Sequence, residues 1–237
     1  MSIYKSALRN LAVVVAMTTV TFPVFAAAVF SGPTPYLSSA DNPFVGGSFA
    51  YYHLEDFEDG FLNTPGVTAS PGWGTTISPA FIDSVDGDDG SIDGSGTNGR
   101  SYFSNFRNNA VTFTFSASAL GGNLPTHAGI VWTDVNASAL NRQVVFTAQD
   151  SMGNSLGSLG PVLLGDNLIR GETAEDRFFG VFNTTGISSI TITMPNSDNW
   201  EVDHLQYGFA ASVPIPAAAW LFASGLPILF MRRKSRA

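Results

Sequence analysis

Residues Ile187 to Met194 read I-S-S-I-T-I-T-M. Ile190 and Ile192 alternate with Thr191 and Thr193, so an extended chain here has one apolar and one polar face. The alternation slips once, at the paired serines between Ile187 and Ile190. β-Branched residues of this kind fit a pleated, half-buried surface.

Similar short runs recur on both sides. They are Val111–Phe115 (V-T-F-T-F), Gly129–Thr133 (G-I-V-W-T), Val144–Gln149 (V-V-F-T-A-Q), Phe178–Phe182 (F-F-G-V-F) and Trp200–Tyr207 (W-E-V-D-H-L-Q-Y). Gly, Asn, Asp and Pro clusters separate them, and Ser151-Met152-Gly153-Asn154 reads as a turn. No window has convincing helical periodicity, and no internal repeat is present. Val29 to Phe44 is rich in Pro and Ser and reads as irregular. The expected fold is all-β, an antiparallel β-sandwich of jelly-roll-like form, spanning residues 27–212.

Both ends of the chain stand outside that domain. Lys5 and Arg9 precede an apolar stretch, Leu11–Phe25, broken by three threonines and followed by Ala26, Ala27 and Ala28. This is the pattern of a signal peptide helix over 1–26, with cleavage after Ala26 or Ala28; a retained N-terminal anchor is the alternative. At the other end, Ile215 to Met231 is 17 residues without a charge. At about 1.5 Å per residue it makes a helix of roughly 26 Å, near the lower limit for a bilayer core. Arg232, Arg233, Lys234 and Arg236 follow directly. Cationic flanks stay on the cytoplasmic side, so a single C-terminal transmembrane helix here leaves the domain outside.

The tail as a whole, V-P-I-P-A-A-A-W-L-F-A-S-G-L before an apolar run and R-R-K, resembles the PEP-CTERM sorting signal of Gram-negative bacteria. The matching positions over 213–237 are Val213, Pro214, Pro216, Ala217, Ala218, Trp220, Leu221, Phe222, Ser224, Gly225, Leu226, Arg232, Arg233 and Lys234. The resemblance implies an exosortase-like membrane enzyme as partner and a cell that secretes exopolysaccharide, itself a candidate partner. It places the domain in the periplasm on an inner-membrane anchor, or at the cell surface after processing. The tail departs from the family at Ile215, where Glu is usual.

Without its ends the chain holds five arginines, no lysine and all 19 acidic residues, a formal charge of −14. Such a surface repels nucleic acid and anionic polymers and attracts divalent cations. The absence of cysteine excludes thiol chemistry and cysteine-ligated metals. The acids cluster twice, at Glu55, Asp56, Glu58 and Asp59, and at Asp83, Asp86, Asp88, Asp89 and Asp93. Hard oxygen ligands on glycine-rich turns suit Ca²⁺. The second cluster, with Asp86, Asp88 and Asp93, lacks the twelfth-position Glu of an EF-hand, because Thr97 stands there. A solvated acidic loop is the competing reading.

The second half also resembles jelly-roll domains of surface and carbohydrate-binding modules. The resemblance rests on Gly129–Asp134 (G-I-V-W-T-D), Glu175–Val181 (E-D-R-F-F-G-V), Gly186–Ile192 (G-I-S-S-I-T-I) and Trp200–Gly208 (W-E-V-D-H-L-Q-Y-G). It implies a structural Ca²⁺ joining Glu55, or a neighbour, to Asp203.

His53, His127 and His204 fit no zinc spacing. Asp203 and His204 are strand neighbours and are expected on opposite faces, so not as a dyad. Trp73, Trp132, Tyr51, Tyr52 and Tyr102 are candidates for stacking on a sugar, with core or turn residues as the competing reading; Trp132 reads as core, and Trp73, in P-G-W-G, is the foremost candidate. The function expected is non-enzymatic: an exported structural or adhesive protein that binds carbohydrate. The alternative is an exported polysaccharide hydrolase using paired carboxylates.

Overall fold

The computed structural model describes residues 27–70, 75–76, 84–85, 99–104, 108–135, 142–165, 174–197 and 200–211. The expected leader 1–26 and sorting tail 213–237 lie outside them, as do Trp73, Asp86, Asp88 and Asp93. Among the described residues no helix is long and apolar enough to cross a membrane.

The strands are β1 (Val29–Pro35), β2 (Phe49–Glu55), β3 (Val67–Ser70), β4 (Thr75–Thr76), β5 (Tyr102–Phe103), β6 (Ala110–Phe115), β7 (His127–Val135), β8 (Gln143–Gln149), β9 (Ser155–Leu163), β10 (Arg177–Phe182), β11 (Ser189–Thr193) and β12 (Trp200–Ala210). Among the described residues helix is confined to two 3-10 turns, Ser39–Asp41 and Ala117–Leu120. The strands form two sheets. One has the order β1-β10-β7-β12-β5-β4, with β2 also on β12; the other is β3-β6-β11-β8-β9. Every described pairing is antiparallel.

The sheets meet face to face because each strand's alternation supplies one apolar face. Val111, Phe113 and Phe115 of β6, Val144 and Phe146 of β8, and Ile190 and Ile192 of β11 line the smaller sheet's inner face. Ile130, Trp132, Phe179, Val202, Leu205 and Tyr207 oppose them from the larger. The rings of Phe146 and Phe179 lie 5.9 Å apart, and those of Phe115 and Tyr207 5.1 Å. Each fully buried large side chain contributes about 1.5–3 kcal/mol by leaving water. On the opposite face of the smaller sheet, Thr112 and Thr191 join hydroxyls at 2.8 Å.

The slip at the paired serines has a structural meaning. β11 starts at Ser189, and Ile187 enters the core from the preceding turn, fully buried. At Ser188 the backbone donates its N–H to Gln149 O and accepts from Phe115 N–H, joining the strand to both neighbours.

Val29–Pro35 corrects the expectation of an irregular segment, since it is strand β1, paired with β10. Pro33 is accommodated because β1 is an edge strand with a register shift between Ser31 and Thr34, where a ladder donor is dispensable.

The larger sheet also has a covered outer face. Gly129 and Gly180 pair there, and a Cβ on either would come within 2.3 and 2.6 Å of the Phe178 ring. Only glycine lets that ring lie against the sheet. Tyr36 stacks on it and Phe44 meets it edge-on. A chain of hydrogen bonds holds this flap down. Asn42 donates to Tyr52 Oη, Tyr52 to Gln206 Oε1, and Gln206 Nε2 to Tyr36 Oη, at 2.9, 3.1 and 3.0 Å.

Candidate functional site

β2 ends at Glu55, and β12 runs antiparallel to it with Leu205 opposite Glu55. This register brings both expected calcium ligands, Glu55 and Asp203, to one end of the sandwich. It does not bring them together. Cross-strand partners share a face. Glu55 sits opposite Leu205 of the inter-sheet core, whereas Asp203 pairs with Val131 of the outer cluster.

Each carboxylate has its own task. Glu55 is buried, and accepts the backbone N–H of Phe57 at 3.1 Å, Asn63 at 3.3 Å and Thr64 at 3.1 Å. Burial raises its pKa, with those three donors acting the other way. The rest of L-E-D-F-E-D-G is built similarly. Asp56 accepts from Glu58 N–H and Asp59 from Phe61 N–H, the side-chain-to-backbone bonds typical of Asx turns. Glu58 accepts the N–H of Arg100. This acidic cluster is a knot of turns more than a patch of free charge.

Asp203 is wholly buried. One oxygen accepts the N–H of Val85 at 2.9 Å and the hydroxyl of Ser84 at 3.1 Å; the other accepts the N–H of His204 at 2.6 Å. Its carboxylate therefore grips the residue immediately before Asp86, at the foot of the second acidic stretch. Sequence reasoning missed Ser84 and Val85, which carry no local signal of a partner 118 residues away.

The expectation that Asp203 and His204 face apart is overturned. His204 has a φ of 47°, in the left-handed region, and the β12–β7 register shifts between Asp203 and Gln206. This bulge adds a residue, so strand alternation fails locally. The two side chains turn the same way, with His204 Nδ1 3.2 Å from Asp203 Oδ1 and its ring against Tyr36. The bonding order is Ser84–Asp203–His204. A nucleophilic triad needs the imidazole between serine and carboxylate, so this is a clasp and not a relay.

Among the described residues no three His, Asp or Glu side chains converge to hold a metal ion. Glu55 and Asp203 do not fit a shared calcium, since they occupy opposite faces of the larger sheet. Trp132 is core, as expected, and Tyr102 is buried against Trp200 and Phe113. Tyr51 is half-buried, stacked on Phe209, and the hydroxyl of Tyr52 is tied into the flap.

No family model matches the chain, and no curated protein matches it. It is similar to the crystal structure of the K3 cleaved adhesin domain of Lys-gingipain from Porphyromonas gingivalis w83, at 12% identity and a TM-score of 0.32. That similarity covers 65% of this chain and 95% of the other.

Proposed function

We propose that this chain is an exported cell-envelope or extracellular-matrix protein whose jelly-roll-like sandwich has a structural or adhesive role, with carbohydrate as the ligand class. The observation that carries this reading is how its buried carboxylates are used. Glu55 and Asp203, the acids singled out by the jelly-roll resemblance, hold backbone donors in place, which is scaffold chemistry. The tail 213–237 acts as the address, read by an exosortase-like membrane enzyme, and Arg232, Arg233 and Lys234 hold the chain at the inner membrane before processing. Neutralising those three is expected to disturb inner-membrane retention on fractionation; an unchanged distribution overturns the sorting account.

The calcium proposal narrows to Asp86, Asp88 and Asp93, with Asp203 at the foot of their stretch. A ligand that binds only the native state raises its melting temperature. Calcium is expected to do so for the full chain, and chelator to reverse it; no shift retires the ion. A glycan array probed with the full chain tests adhesion. Turnover of a polysaccharide, abolished by a single carboxylate change, would make the chain a hydrolase instead.

A further inference from the structure

We infer that a cleft at the end of the sandwich opposite Asp203 binds an uncharged oligosaccharide segment. This rests on the adhesive reading and gives it a location other than the Trp73 loop. The cleft has a volume of about 670 Å³ and opens where β12 finishes, beside the turn Asn183–Gly186 and the 3-10 turn Ala117–Leu120.

Among the described residues its lining contains no charged side chain, although between its two ends the chain has a formal charge of −14. Asn123, Ser151, Thr184 and Thr185 present amide and hydroxyl groups, and Leu124 and Phe209 present apolar surface. Amides and hydroxyls both donate and accept, as sugar hydroxyls require of a partner, and apolar surface matches the C–H face of a sugar ring. Among the described lining residues an anion would find no cation, and a metal ion no carboxylate. Asp150 is next to Ser151, but its oxygens are taken by Met152 N–H, Asn154 N–H and the Asn154 side-chain amide.

The walls are fixed before any ligand arrives. Buried Asn183 donates to Thr185 Oγ1 at 2.9 Å and to Gly186 O at 2.7 Å. Thr185 thus accepts from Asn183 and keeps its own hydroxyl proton to donate outward. Backbone bonds from Asn183 N–H to Thr126 O and from Ile187 N–H to Pro125 O join the turn to the facing wall. Gly186 has a φ of 98°, and a Cβ there would lie 2.9 Å from Leu124 Cβ, so the turn closes only with glycine. A preformed wall lowers the ordering cost of binding.

The test is calorimetric titration of the full chain, held in a non-glycosidic detergent, with neutral cello-, malto-, xylo- and manno-hexaose and with anionic oligogalacturonate. At least one neutral hexaose is expected to bind. The double variant Asn123→Ala/Thr184→Ala, at two exposed positions, is expected to weaken it at least tenfold with an unchanged melting temperature. Trp73→Ala is expected to leave it unaltered. Binding confined to oligogalacturonate, or indifferent to the double variant, overturns the cleft. Binding lost in Trp73→Ala but kept in the double variant overturns the cleft and leaves the adhesive reading standing. No binding by any oligosaccharide retires the cleft together with carbohydrate as the ligand class.

Discussion

The two ends of the sandwich are held together by different chemistry. Where β12 starts, buried carboxylates do the tying. Asp203 clamps the 84–85 segment and Glu55 knots the loop after β2. Where β12 finishes, the Asn183 amide and backbone bonds across Thr126 tie the cleft wall, while the Asp150 carboxylate holds only its own turn to Asn154. Hydrogen bonds to a charged acceptor are roughly twice as strong as neutral ones, and a buried donor that loses such an acceptor is expensive. One end therefore uses its negative charge internally for folding. The other has a cleft lined, among the described residues, by uncharged side chains.

The most severe way to break this contrast is Asp203→Ala. It strips a buried acceptor from the N–H groups of Val85 and His204 and from Ser84, and is expected to cost about 3–5 kcal/mol in urea denaturation. A loss under about 1 kcal/mol would show that the clasp is incidental. Glu55→Gln is milder. It keeps one acceptor oxygen but turns an NH₂ toward N–H donors, for an expected loss of about 1–3 kcal/mol.

Asn183→Ala probes the neutral end with two lost bonds, expected at about 1–2 kcal/mol. A cost equal to that of Asp203→Ala would erase the distinction between the ends.

The smallest effect is a pH dependence. His127 packs among the rings of Phe44, Phe49 and Phe182, and burial lowers its pKa from the ordinary 6.5, as it does for His53. The native state thus disfavours the proton that the unfolded chain accepts. Its contribution is present above pH 6.5 and is lost as pH falls toward the depressed native value. His127→Phe is expected to remove its share of the stability slope below pH 6.5, the smallest of these effects. An identical slope in the variant would place the titration elsewhere.

How far the sequence could be read depended on whether a signal was local. I-T-I-T and V-T-F-T-F announce their strands because alternation is a property of neighbours in the chain. β1 and β9 were hidden, since Pro33 and the glycines of S-L-G-S-L-G-P-V-L argue against strands unless one knows they lie at sheet edges. Asp203 stood out in W-E-V-D-H, but its partners Ser84 and Val85 did not. The turn Asn183-Thr184-Thr185-Gly186 has a legible turn composition. That it walls a cleft with Asn123 and Phe209 depends on contacts between residues distant in the chain, which no sequence pattern carries.

By itself, then, the sequence determined the all-β character, the apolar faces that pair the two sheets, and an acidic composition between differently composed ends. These follow from period, composition and charge, which the chain carries without folding. Tertiary structure alone decided the rest. It bulged β12 at His204 so that Asp203 and His204 face the same way. It buried carboxylates at one end, and among the described residues it lined the cleft at the other with uncharged side chains. The physical reason is that a side chain's partner, and hence its chemistry, is set by register between distant strands, and register exists only once the sheets have formed.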